Sequence, residues 1–188
     1  MNKIFEDATP AEYELLMGVR STYHPTLNNV RPAPEIKIGL IFVSGFNSDD
    51  ELEPCLKVHG TPALGCTRLI TGKHRVFNPN DAEICVDRYF WDNTTQDKQR
   101  ALLDHELEHI VVRTDAQGTQ MIDAATGRIK LRLKPDDWAI TGFLSTVRRF
   151  GQDANEVVAI QRTIDEVDQV LTALTEAGNQ LCLFHSHN

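Results

Sequence analysis

The sequence predicts an α+β domain in which a small mixed or antiparallel sheet packs against one long helix, with an added C-terminal helix. Three observations carry that prediction. Short β-branched runs punctuated by Gly, Pro and Asn are interspersed with stretches of helical period. The pattern His105-Glu106-Leu107-Glu108-His109 falls inside the best of those helical stretches. The 188 residues are 41% apolar and 24% charged, which matches one globular unit able to bury a core. We therefore expect one domain over residues 1–151 and a helical extension and tail over 152–188.

In chain order, Thr9-Pro10-Ala11-Glu12 combines an N-cap Thr, Pro at N1 and Glu at N3, the signature of a capping box. Leu15, Leu16, Val19 and Tyr23 supply one apolar face. His24-Pro25 ends that helix, because a residue before proline is pushed out of the α region. Residues 35–44 are β-branched and apolar with few breaks, which predicts a buried strand. Residues 45–62 are polar and broken by Gly and Pro, hence a loop with at most one short helical turn. Two more strands are expected at 64–77 and 82–88, divided by the turn Asn78-Pro79-Asn80-Asp81.

Thr94 and Thr95 open a helix of about eighteen residues, with acids early and Arg113 late, as the helix dipole prefers. Residues 120–134 predict a hairpin turning at Ala124 to Gly127, and helix resumes after Pro135 to about Arg149. A last helix runs from about Asp153 to Ala177 and stops at Gly178. Along it Val157, Ile160, Ile164, Val167, Leu171 and Leu174 alternate spacings of three and four, the pattern of a two-helix seam. Packing on the body of the same domain is the first reading of that seam, and a homodimer through the C-terminal helix is the second.

Nineteen basic against 27 acidic side chains give a net charge of -8, which repels a phosphate backbone, so no nucleic-acid partner is expected. The longest strongly apolar run, Ile38 to Val43, is far short of the roughly 18 residues that a membrane helix requires. Residues 1–7 carry acids and no long apolar run, so a secretory leader is not expected either. A cytoplasmic protein is the default, and the widely spaced Cys55, Cys66, Cys85 and Cys182 read as free thiols in a reducing compartment.

The chemistry sits in the His-Glu-Leu-Glu-His pattern. At about 100° per residue the imidazoles of His105 and His109 fall about 40° apart and one turn from each other, so both reach a single ion. Glu106 projects to the side, close to such an ion without ligating it. Leu103, Leu107, Ile110 and Val111 form a core-facing arc, while Asp104 and Glu108 point to a third arc, toward solvent. With seven His and twelve Glu in the chain, chance supplies roughly 0.016 such matches. Zinc suits the set, because imidazole is a good borderline ligand and a three-ligand site keeps one position open for water. A nearby carboxylate then takes the water's proton as it attacks a carbonyl, which is hydrolysis of a peptide or protein substrate. The third ligand is sought downstream among Asp136, Asp137, Asp123, His185 and His187. Asp136 and Asp137 are best placed, because they follow directly on the hairpin that leaves the zinc helix. The competing reading is a non-catalytic interaction protein in which the metal only fixes the fold.

From about residue 9 to 151 the chain resembles the phage metallopeptidase family, a minimal zincin. The resemblance rests on Tyr23-His24-Pro25-Thr26-Leu27, the strand over 36–43, the segment from Ala82 to Trp91 and the run from Lys98 to His109. It continues through Leu131 to Asp137 and Val147-Arg148-Arg149-Phe150-Gly151, and Leu102-Leu103-Asp104-His105-Glu106-Leu107 is its most specific piece. It implies a zincin-like fold and a Zn2+ ion held by His105 and His109, with Glu106 as the catalytic general base. The family shows Pro-His-Asp where this chain has Pro135-Asp136-Asp137, so Asp136 stands at the histidine position as an oxygen ligand. For a phage-encoded chain, the cytoplasm would be the host's. In zincins an exposed sheet edge aligns the substrate as an added strand, and residues 83–88 are the candidate for that edge, with an interior strand as the other reading. Tyr89, His59, His74 and Arg113 are candidate helpers of the transition state.

Overall fold

The computed structural model describes residues 2–28, 35–136, 143–162, 164, 165, 169 and 172. In chain order its elements are β1 (Asn2–Asp7), α1 (Pro10–Tyr23), β2 (Ile38–Phe46), β3 (Leu52–Glu53), β4 (Lys57–Val58) and β5 (Thr61–Pro62). Next come β6 (Gly65–Leu69), β7 (Ala82–Asp87), α2 (Arg88–Asp92), α3 (Gln96–Glu108), β8 (Ile110–Val112), β9 (Leu131–Leu133) and α4 (Leu144–Phe150). Residues 155–162 are helical again.

One mixed sheet in the order β1-β2-β7-β6 organises the chain, and β3 adds a short antiparallel pairing to the end of β2. β2 and β7 are parallel, whereas β1 with β2 and β6 with β7 are antiparallel. The core lies on the face covered by α1 and α3. Leu16 and Val19 of α1 and Leu102, Leu103 and Leu107 of α3 meet Leu40 and Phe42 of β2 and Ile84 and Val86 of β7. Helical spacing on one side and period-two spacing on the other bring these side chains together, at about 1.5–3 kcal/mol for each large one buried. On the opposite face the segment between β2 and β6 closes over Val43 and Cys85 with Cys55. Asp87 anchors that segment: its Oδ2 accepts the N–H groups of Cys55 (2.7 Å) and Leu56 (2.8 Å). Its Oδ1 accepts the Phe90 N–H (3.3 Å) and caps α2.

The capping box at Thr9 forms as expected, with Thr9 N–H donating to Glu12 Oε2 at 2.8 Å. Glu12 also accepts from Arg88 Nη1 at 2.5 Å, tying α1 to the start of α2. Burial pushes the Glu12 carboxyl up, but the bonds from Arg88 and Thr9 outweigh it and hold the group below the usual carboxylate range. A depressed folded-state value gives stability that is complete above the unfolded value, about 4.3, and is lost as pH falls through the folded one. Glu12→Gln should therefore lower the urea stability at pH 7 by about 1–2 kcal/mol, with the gap to wild type closing as the carboxyl protonates.

Several expectations are corrected. Residues 82–87 form not an edge but an interior strand, flanked by β2 and β6 and buried at every position. The edge is β6. The strand expected over 64–77 stops at Leu69, and a 3-10 turn follows over Gly72–Val76, opened by Gly72 at φ +53°. The 45–62 loop holds β3 and the β4–β5 hairpin, turning on His59 and Gly60 at positive φ, instead of a helical turn. The eighteen-residue helix is shorter: α3 ends at Glu108, because the β-branched run Ile110-Val111-Val112 pairs with β9. The turn at 123–127 forms, with Gly127 N–H on Asp123 O at 2.7 Å, but its return strand pairs mainly with β8. Of the helix expected after Pro135, α4 is present, and residues 137–142 lie outside the described residues. Of the C-terminal seam, Val157 and Ile160 are half-buried and Ile164 is exposed, while Val167, Leu171 and Leu174 lie outside the described residues. Among the described residues Cys55, Cys66 and Cys85 are free thiols, and no helix is long and apolar enough to cross a membrane.

Candidate metal centre

α3 begins at the Thr95 cap, whose Oγ1 accepts the Lys98 N–H at 3.4 Å, and it is fixed in rotation by the fully buried Leu103 and Leu107. That rotation stacks His105 and His109 on an adjacent face, with ring centroids 5.0 Å apart. His109 is one residue past the end of α3 but keeps helical angles, φ -65° and ψ -23°, so the one-turn spacing survives.

The orientation of each imidazole is set by its Nδ1. His105 Nδ1–H donates to Glu156 Oε1 at 2.8 Å, and His109 Nδ1–H donates to the Lys134 carbonyl at 2.8 Å. Both Nε2 atoms are then lone pairs turned toward Asp136 Oδ1, which lies 3.8 Å from each. The β8–β9 ladder explains the position of Asp136. Lys134 N–H returns a 2.8 Å bond to the His109 carbonyl, so the chain is locked to the end of α3 two residues before Asp136. Phe143 is a buried wedge with its ring centroid 4.9 Å from His105 and 4.7 Å from His109. Its N–H donates to the same Glu156 oxygen at 3.3 Å.

One ligand atom from each of His105, His109 and Asp136 lies within 4.8 Å of the others. Asp136 Oδ1 is buried without a hydrogen-bond partner among the described residues. The three ligand atoms converge with Asp136 Oδ1 3.8 Å from each Nε2, too far apart to hydrogen-bond, and leave a gap that a cation satisfies. Corners of a tetrahedron with bonds of about 2.0–2.1 Å stand about 3.4 Å apart, and Asp136 Oδ1 lies 3.8 Å from each Nε2, so a small inward movement closes the set on an ion. The residues present fit a metal ion.

Glu106 points from the same turn toward β6. It is only 2% exposed, and its Oε2 accepts from Thr67 Oγ1 at 2.7 Å. A Cβ on Gly65 would come within 2.6 Å of its Oε1, so glycine is what lets the strand approach this carboxyl. Burial pushes the Glu106 carboxyl above the usual range, and His105, Thr67 and His109 offset that only in part. A carboxyl raised this way beside a metal-competent cluster has the character of an acid–base group.

The arc expected to face solvent does not. Asp104 is 0% exposed: His24 Nε2–H donates to its Oδ1 at 2.8 Å, and Arg149 of α4 grips both of its oxygens. Arg149 also donates to Glu108 at 2.9 Å, and Ser145 does so at 2.7 Å. The third face of α3 is thus covered by the end of α1 and by α4. Among the other candidates for third ligand, Asp123 accepts the Ala125 N–H at 2.9 Å inside its own turn, while Asp137, His185 and His187 lie outside the described residues. Tyr89 lies in α2, His59 in the β4–β5 turn, His74 in the 3-10 turn after β6 and Arg113 just past β8. The sequence reading missed Glu156, Phe143, Thr67 and Gly65, none of which belongs to a motif around α3.

Residues 17–168 match the model of the family described as "Putative phage metallopeptidase". The chain belongs to that family. The phage metallopeptidase match runs past residue 151 and takes in Glu156, the residue that orients His105. The family's name speaks of a metal ion and of peptide cleavage, and His105, His109 and Asp136 form a group able to hold such an ion. No curated protein and no solved structure matches the chain.

Proposed function

We propose that this protein is a zinc-dependent peptidase in which His105, His109 and Asp136 hold the metal and Glu106 is the general base. The observation that carries the reading is the orientation of the two imidazoles, whose Nδ1–H groups are engaged so that both Nε2 atoms meet Asp136 Oδ1. Two imidazoles and one carboxylate suit Zn2+ better than the all-oxygen preference of Ca2+ or Mg2+. A bound Zn2+ supplies Lewis acidity, lowering the pKa of a water toward about 7 and polarising the scissile carbonyl. Glu106 takes the attacking water's proton and delivers it to the departing amine nitrogen. Thr67 engages Oε2, which leaves Oε1 for that proton.

The outer rim of β6, which pairs with no strand among the described residues, runs beside Glu106 and suits an extended peptide docking as an added strand. The free thiols of Cys55, Cys66 and Cys85 among the described residues suit a reducing, cytoplasmic setting. Elemental analysis of protein purified without chelator should give about one zinc per chain, together with cleavage of a denatured protein substrate, and His105→Ala should lose both. A chain that takes up no divalent metal would overturn the reading. Glu156→Gln should weaken zinc binding about tenfold in a competition with a chromophoric chelator, because the outer carboxylate sets the tautomer and basicity of His105. The same variant, metal-free, should unfold at nearly the wild-type denaturant concentration.

A further inference from the structure

The edge of the sheet farthest from the metal centre is β1. Its outer rim pairs with nothing among the described residues, and all six of its residues are exposed. Ile4 is 48% exposed on one face and Phe5 62% exposed on the other. Monomeric proteins blunt such edges with proline, a bulge or charged side chains, and charges of one sign also repel a second copy of the same strand. β1, Asn-Lys-Ile-Phe-Glu-Asp, has no proline, pairs without a break along β2, and carries charges of both signs.

Hydrogen-bond phase decides what fits this rim. Ala8 N–H donates to Leu40 O at 3.1 Å, in register with Asn2↔Phe46, so the even-numbered residues turn their amides toward β2. Lys3, Phe5 and Asp7 turn theirs outward. An antiparallel strand of identical sequence must therefore meet odd residues with odd ones. Centring on Ile4 sets Lys3 against Phe5, and centring on Glu6 sets Glu6 against itself. Centring on Phe5 sets Lys3 against the partner's Asp7 at both ends and the two Phe5 rings against each other. Lys3 Nζ donates to the Cys55 carbonyl at 2.8 Å, which leaves the ammonium two further donors.

We propose that two copies of this chain pair through β1 about a two-fold axis at Phe5, joining their sheets into one. The contact is isologous, as a closed dimer requires. It leaves β6 and the metal centre free at the outer ends of the joined sheet. A contact through one six-residue strand is smaller than the standard interface of about 1,600 Å², so a weak association, on the order of micromolar or weaker, is expected.

Sedimentation equilibrium of the full chain over about 1–300 μM should show the mass rising from 21.2 kDa toward twice that value. Asp7→Lys places like charges at both ends and should weaken association at least about tenfold, and adding Lys3→Asp should restore it. Phe5→Pro removes only an outward-facing N–H and should give a folded monomer. A chain that stays at 21.2 kDa throughout would overturn the proposal. So would a dimer indifferent to Asp7→Lys or a charge swap that fails to restore pairing, since either puts the contact elsewhere, for example on the helix over 155–162.

Discussion

Glu106→Gln is expected to lower the turnover of peptide cleavage by about 10²–10⁴-fold while the protein keeps its fold and its metal. The amide has the shape of the carboxyl, so it still accepts from Thr67 and still packs on the bare Cα of Gly65. What it loses is the ability to take a proton. Stability should not fall with it. The folded-state value of Glu106 is raised, so the native state holds that proton more tightly than the unfolded chain, and ionisation at neutral pH opposes folding. An uncharged side chain removes that cost, and the thermal midpoint should be equal or higher. Three measurements on one preparation check this: cleavage of a fluorogenic peptide mixture, zinc per chain, and a melting curve. A variant that binds zinc, melts normally and cleaves as well as wild type would remove Glu106 from the chemistry. A wild type that binds zinc but cleaves nothing would instead favour the interaction-protein reading.

The parts of this fold that were legible in the sequence are those whose determinants are local. The Thr9–Glu12 capping box is written within four residues, and the two imidazoles are four apart on one helix. The apolar runs of β2 and β7 announce buried strands, but an apolar run reads alike for an edge and an interior strand. What separates them is the burial of Glu83 and Asp87, whose partners are Arg68 and the amides of Cys55 and Leu56 on other segments. Asp104 and Glu108 look like a solvated helix face for the same reason, since Arg149 arrives from 45 residues downstream of Asp104. Glu156 comes from 51 residues beyond His105, with no motif to mark it. The end of α3 is different: Ile110-Val111-Val112 is a β-branched run whose strand preference was visible locally and gave way to the helical pattern before it.

The long-range contacts that escape the sequence also carry the second large effect. Asp104→Ala should destabilise the protein by about 3–5 kcal/mol, read as a lowered urea midpoint at unchanged slope. Burial alone would raise the Asp104 carboxyl, but the bonds from His24 and Arg149 outweigh it and hold it below its usual range, so it is ionised at neutral pH. Removing it leaves the Arg149 guanidinium with Glu108 alone and His24, itself buried, without its acceptor. Glu108→Gln, at a half-buried position, is the control and should cost far less, about 1 kcal/mol. The effect should also reach the metal. Arg149 fastens α4 to α3, and the chain beyond α4 turns through Gly151–Asp153 to bring Glu156 onto His105. Asp104→Ala should therefore weaken zinc binding even at temperatures where the fold is intact, and the loss should shrink when Glu156→Gln is already present. Independent, additive losses in the double variant would mean that the buried ion network stabilises α3 without helping to aim its histidine.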